Sequence, residues 1–110
     1  MTNLERVEQD GYYIEIVKEQ TPEICLAAVK QNPFSIEYVV NQTPEVCLAA
    51  VKKDGLAIDY IKNQTYEICL AAIKNTPKAI KYIRDPIIIN KLRKKYPEII
   101  MLLFHSSPLP

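Results

Sequence analysis

The same order of apolar and polar positions recurs three times along the chain. Residues 20–41 read QTPEICLAAVKQNPFSIEYVVN, residues 42–63 read QTPEVCLAAVKKDGLAIDYIKN, and residues 64–85 read QTYEICLAAIKNTPKAIKYIRD. The first and second stretches agree at 13 of 22 positions and the second and third at 12 of 22, without a gap. A fixed period of this length marks a supersecondary unit that cannot bury its apolar face alone and must stack on its neighbours.

Each stretch predicts two short helices. The first begins after Thr21, Thr43 or Thr65, a residue suited to accept from the free N–H groups of a helix start. Pro22 and Pro44 follow at the first helical position, where a missing N–H costs nothing, and Tyr66 takes that place in the third stretch. Glu23, Glu45 and Glu67 then complement the helix dipole. The body, Ile-Cys-Leu-Ala-Ala-Val-Lys in residues 24–30, is apolar almost all round and predicts a buried helix. Gln-Asn-Pro, Lys-Asp-Gly and Asn-Thr-Pro supply the turn. The second helix carries the pairs Ile36/Val39, Ile58/Ile61 and Ile80/Ile83 on one face. Helices this short are unstable alone in water, so stacking must hold them. A parallel β-helix does not fit, because Pro, Ala-Ala and Lys recur where strands would be needed.

The register continues in degraded form at both ends. Gln9-Asp10-Gly11 fits the slot of Gln31-Asn32-Pro33, and Ile14 and Val17 fit Ile36 and Val39. Towards the C-terminus, Leu92 is expected in the slot of Leu26, Leu48 and Leu70, and Leu102 and Phe104 in those of Ile36 and Tyr38. The expected fold is all-α: a short α-solenoid of 22-residue helix–turn–helix repeats with atypical terminal capping repeats. Residues 1–110 form one domain: a partial repeat at 1–19, clear repeats at 20–41, 42–63 and 64–85, a cap at 86–105 and a tail at 106–110.

Composition changes this picture little, with 48% apolar and 25% charged residues and a net charge of +1. The distribution of charge says more. Residues 1–23 hold six acids against two bases, and residues 74–96 hold eight bases against Asp85. The ends should carry opposite potentials. The polar start shows no signal peptide, and the longest apolar run, Ile99 to Phe104, is far short of a membrane span. A cytoplasmic protein, in its own cell or a host cell, and no membrane partner are expected.

The QTPEICLAAVKQ block and the segment Lys53-Asp54-Gly55-Leu56-Ala57-Ile58-Asp59-Tyr60-Ile61-Lys62 resemble a family of tandem helical repeats of unknown function. Such repeats occur in proteins of large DNA viruses and of host-associated bacteria. The resemblance covers roughly residues 9–85. It implies a helical repeat fold and a setting of virus–host or microbe–host conflict, and it carries no active site.

Chemistry is sparse. Cys25, Cys47 and Cys69 recur at one repeat position, but stacked helices sit about 8–10 Å apart, too far for a shared metal or a disulfide. They are expected to pack as small hydrophobes. His105, beside Ser106 and Ser107, has no evident orienting acid for a catalytic triad. With only Gly11 and Gly55, no glycine-rich phosphate loop is possible. Glu15, Glu37 and Asp59 form an acidic row that ends at Lys81 and reads as a solvated face. No catalytic residue, metal site or cofactor is therefore expected.

Two surfaces remain as binding candidates. Tyr12, Phe34, Tyr38, Val40, Leu56, Tyr60 and Tyr82 form an aromatic and apolar stripe suited to protein recognition. Val40 stands out because Lys18, Lys62 and Arg84 hold its slot in other repeats. Lys78, Lys81, Arg84, Lys91, Arg93, Lys94 and Lys95 form a basic patch suited to nucleic acid or an acidic partner. The expected function is non-enzymatic protein binding, as a small inhibitor or adaptor that occludes a defence protein. Nucleic-acid binding through the basic third is the alternative. Self-association through Ile99–Phe104 is a further expectation.

Overall fold

The computed structural model describes residues 1–105, with side chains through Met101. The order of elements is α1 (Asn3–Gln9), η1 (Gly11–Ile16), α2 (Pro22–Gln31), η2 (Pro33–Tyr38), α3 (Pro44–Lys53), η3 (Gly55–Tyr60), α4 (Tyr66–Asn75), η4 (Pro77–Tyr82), α5 (Pro86–Lys95) and α6 (Pro97–His105), where η marks a 3₁₀ helix. Every regular element among the described residues is a helix, with no strand. One α-helix and the 3₁₀ helix after it make a unit.

The starts are local. Thr21, Thr43 and Thr65 accept from the N–H of Ile24, Val46 and Ile68 at 3.2, 3.3 and 3.3 Å. The first helix uses a reciprocal cap: Glu5 N–H donates to Thr2 Oγ1 at 3.1 Å, and Thr2 N–H donates to Glu5 Oε1 at 2.9 Å. That bond holds the Glu5 carboxyl below its ordinary range.

The second element of each unit is 3₁₀, a distinction the apolar pattern over six residues does not make. Its start is set by Asp10, Asn32 and Asp54, whose side chains accept from Tyr12, Phe34 and Leu56 N–H at 3.1, 3.0 and 3.0 Å. Its end is set by extended Val17, Val39, Ile61 and Ile83, whose N–H groups return to Ile14, Ile36, Ile58 and Ile80. Three residues per turn place Ile36 over Val39 and Ile58 over Ile61. All four are almost wholly buried.

Each α-helix packs on the α-helix of the next unit, and each 3₁₀ helix on the next 3₁₀ helix. An α-helix also lies over both its own 3₁₀ helix and the preceding one, as α3 does over η3 and η2. The body measures 55 × 26 × 15 Å. One continuous core runs through it from Val7 to Leu92.

The glutamine that opens each repeat joins the units. Gln42 Nε2 donates to Ile36 O behind it at 2.9 Å and to Tyr60 O ahead at 3.0 Å, while its Oε1 accepts from Lys62 N–H at 2.9 Å. Gln20 does the same with Ile14, Tyr38 and Val40, and Gln64 with Ile58, Tyr82 and Arg84. Each amide thus uses both donor hydrogens and its acceptor to tie consecutive 3₁₀ helices.

The C-terminal end departs from the expected register. α5 starts at Pro86, 20 residues after α4 starts at Tyr66, where α2, α3 and α4 start 22 apart. Asp85 caps α5 directly, accepting from Ile87 N–H at 2.9 Å, so the linker glutamine found at Gln20, Gln42 and Gln64 has no counterpart here. The slip moves Leu92 out of the half-buried slot of Leu26, Leu48 and Leu70. It enters the slot of Ala28, Ala50 and Ala72, which like Leu92 are 0% exposed. α6 packs on α5 and η4.

Candidate binding surface

The 3₁₀ helices line up one above another, so equivalent positions form columns on one side of the body. One column is Ile16, Tyr38, Tyr60 and Tyr82, and a second is Tyr12, Phe34, Leu56 and Lys78. The columns interlock diagonally. Tyr12 meets Tyr38 edge to face at 5.9 Å between ring centroids, and Phe34 meets Tyr60 at 6.1 Å. Phe34, Tyr38 and Leu56 are half-buried against the core, whereas Tyr12, Tyr60 and Tyr82 stay exposed. Val40 is 80% exposed and Ile16 67% exposed. The two columns therefore carry Tyr12, Phe34, Tyr38, Leu56, Tyr60 and Tyr82 of the sequence stripe together with Ile16, and Val40 follows just after η2.

The acidic row borders this stripe. Glu15, Glu37 and Asp59 are exposed on η1, η2 and η3. Glu37 and then Glu15 raise the Tyr38 hydroxyl above its ordinary pKa, with smaller effects from burial, Tyr12 and Tyr60. In the column of Lys18, Val40, Lys62 and Arg84, the second unit has Val40 where the others have a base.

Opposite faces of the α-helices carry grooves that the sequence reading did not identify. One of about 470 Å³ lies between α1 and α2, with Leu4, Leu26 and Ala27 below and Glu23 and Lys30 at the rim. One of about 430 Å³ lies between α3 and α4, with Leu48, Leu70 and Ala71 below and Glu67 and Lys74 at the rim. The recurring leucine row was the available signal. Its reading as a half-open groove needed the spacing of the stacked helices.

The basic residues sit on two elements. Lys78, Lys81 and Arg84 are exposed on and just after η4, and Lys91, Arg93, Lys94 and Lys95 on α5. Some are engaged within the chain. The Arg84 guanidinium donates to Ile61 O and Asp59 O, and Lys95 and Lys74 lie over the Tyr96 ring at 5.9 and 5.4 Å.

The cysteines are free and buried. Burial pushes the Cys47 and Cys69 thiols up to about 11 and raises Cys25. Cys25 and Cys47 make weak thiol contacts to Gln20 O and Gln42 O at 3.9 and 3.7 Å. Among the described residues no His, Cys, Asp or Glu cluster could hold a metal. The His105 side chain, Ser106 and Ser107 lie outside the described residues, as do the side chains of Leu102 and Phe104. Within the C-terminal apolar segment, Ile100 is buried, Ile99 is half-buried and Met101 is exposed.

Comparison with known proteins reaches one family. Residues 43–88 match a domain of unknown function (DUF4116). The match spans α3, η3, α4, η4 and the start of α5. It gives the chain a relation to an uncharacterised domain family and no activity. Neither the curated proteins nor the solved structures yield a match. No helix among the described residues is long and apolar enough to cross a membrane.

Proposed function

We propose that the chain is a short α-solenoid that binds another protein through its 3₁₀ face and does no catalysis. The observation that carries this reading is the interlocked aromatic stripe. Tyr12, Tyr60 and Tyr82 stand about 40% exposed, with Tyr12 packed edge to face on Tyr38 and Tyr60 on Phe34. Rigid aromatic side chains on a fixed backbone lose little entropy on binding and fill partner pockets well. Stoichiometric occlusion of a partner surface follows from such a face, and the resemblance to repeats of host-associated microbes and viruses makes a defence protein the proposed class of target. A cytoplasmic setting in its own or a host cell belongs to the same proposal.

The test is capture by the tagged protein from nuclease-treated lysate, in parallel with Tyr12→Asp/Tyr60→Asp/Tyr82→Asp. A protein recovered near equal stoichiometry by the parent and lost by the triple variant, with its circular dichroism unchanged, supports the reading. Nucleic acid recovered instead, or capture lost only on charge reversal of Lys91, Arg93, Lys94 and Lys95, overturns it in favour of the basic surface.

A further inference from the structure

The stripe is electrostatically uneven. In the third unit the exposed carboxylate of Asp59 has Lys62 in the next column, and in the first unit Glu15 has Lys18. In the second unit Glu37 has Val40 there, 80% exposed. Glu15 and Glu37 both act on Tyr38, whose ring is fixed edge to face with Tyr12 at 5.9 Å. Four features therefore coincide between the first and second units. These are two carboxylates, two packed tyrosine rings, an exposed isopropyl group, and the lack on the second unit of the base that the first unit keeps at Lys18.

That combination has a definite complement. A cation beside an aromatic ring gains from the ring quadrupole, and more so where carboxylates are near. An apolar neighbour of that cation covers Val40 and removes its surface from water. Basic residues on this chain already choose tyrosine rings, as Arg6 lies over Tyr13 at 5.4 Å. Stacked units are spaced about 8–10 Å apart, which an extended chain covers in about three residues.

Resting on the protein-binding reading above, we infer that the patch of Tyr12, Glu15, Glu37, Tyr38 and Val40 receives an extended segment of a partner protein in which an arginine or lysine neighbours an apolar residue. The cation sits between the two carboxylates over the tyrosine pair, and the apolar side chain covers Val40. Specificity then comes from Val40 as much as from the acids, because a lysine at that slot would repel the incoming cation.

The probe is a fluorescein-labelled peptide of about twelve residues built of repeated Arg-Leu-Ser, a period of about 10 Å when extended. Versions with glutamate for arginine and with serine for leucine serve as comparisons. Anisotropy titrations at physiological salt use the full chain, Val40→Lys and Glu15→Gln/Glu37→Gln. These positions are exposed, and lysine already holds the Val40 slot in two units, so folding should persist.

The arginine–leucine peptide should bind the parent. Either variant should weaken it on the order of tenfold or more, as should either peptide change, from loss of one desolvated cation–aromatic contact or of its charges. Equal binding of the glutamate peptide, no binding of the arginine–leucine peptide, or indifference to Val40→Lys overturns the inference. The two proposals fail separately. Capture of a protein that depends on Tyr12, Tyr60 and Tyr82 but is unchanged in Val40→Lys would sink the cationic segment and leave protein binding standing.

Discussion

Replacing Gln42 with alanine should test how the units are held together. Its amide donates to Ile36 O and Tyr60 O and accepts from Lys62 N–H, at 2.9, 3.0 and 2.9 Å. A protein hydrogen bond contributes about 0.5–1.5 kcal/mol net, so three together come to about 1.5–4.5 kcal/mol. Water can reach part of this half-buried site and re-satisfy some groups, which places the expected loss near 2–3 kcal/mol. Against a total of about 5–15 kcal/mol for a domain, that is a large share.

The assay is urea unfolding followed by far-ultraviolet circular dichroism, comparing midpoints at constant slope. Gln42→Glu sharpens the test, since a carboxylate still accepts from Lys62 N–H but cannot donate to either carbonyl. It should destabilise at least as much as alanine. Exposed Lys30→Ala, away from the rung, should change stability by less than about 0.5 kcal/mol. A loss below about 1 kcal/mol for Gln42→Ala, or a Gln42→Glu protein as stable as the parent, would show that apolar packing alone joins the units.

Four further outcomes follow from the core and its edges. Ser35 Oγ is buried without a partner, and Ala57 and Ala79 hold the same slot, so Ser35→Ala should stabilise by about 1 kcal/mol in the same unfolding assay. A methyl group at Gly55 would collide with the carbonyl oxygen of Ala72 and meet Thr76 Cβ at 2.9 Å, so Gly55→Ala should cost about 1–3 kcal/mol, read as a lower urea midpoint. Cys47 and Cys69 should resist a thiol reagent at neutral pH and react once urea unfolds the chain, since burial holds their pKa at about 11. The same shift should leave stability intact below the ordinary thiol value of 9.0 and lower it as pH rises from there towards about 11, because the unfolded chain ionises first.

Much of the architecture was legible without coordinates. The threonine caps act on groups three residues away, and the Asx caps of the 3₁₀ helices on groups two away, so both are properties of local sequence. The aromatic stripe was readable because Tyr38, Tyr60 and Tyr82 repeat at the period of the fold. Less was visible at the C-terminal end. Leu92 matched the leucine row by counting 22 residues, yet Asp85 caps α5 two residues early and turns Leu92 into the core.

The sequence alone determined the helical class, the period, the caps and breakers, and the apolar positions that face inward, because those follow from short-range backbone chemistry and from the need to bury side chains. Tertiary structure decided what depends on stacking. Gln42 looked like a linker residue until its amide was placed between carbonyls 6 and 18 residues away. Val40 stood out as an apolar residue in a basic slot, but the edge-to-face meeting of Tyr12 with Tyr38, drawn from two units, appeared only once the units were stacked. Contacts of that kind belong to the distance between units, which no single repeat encodes.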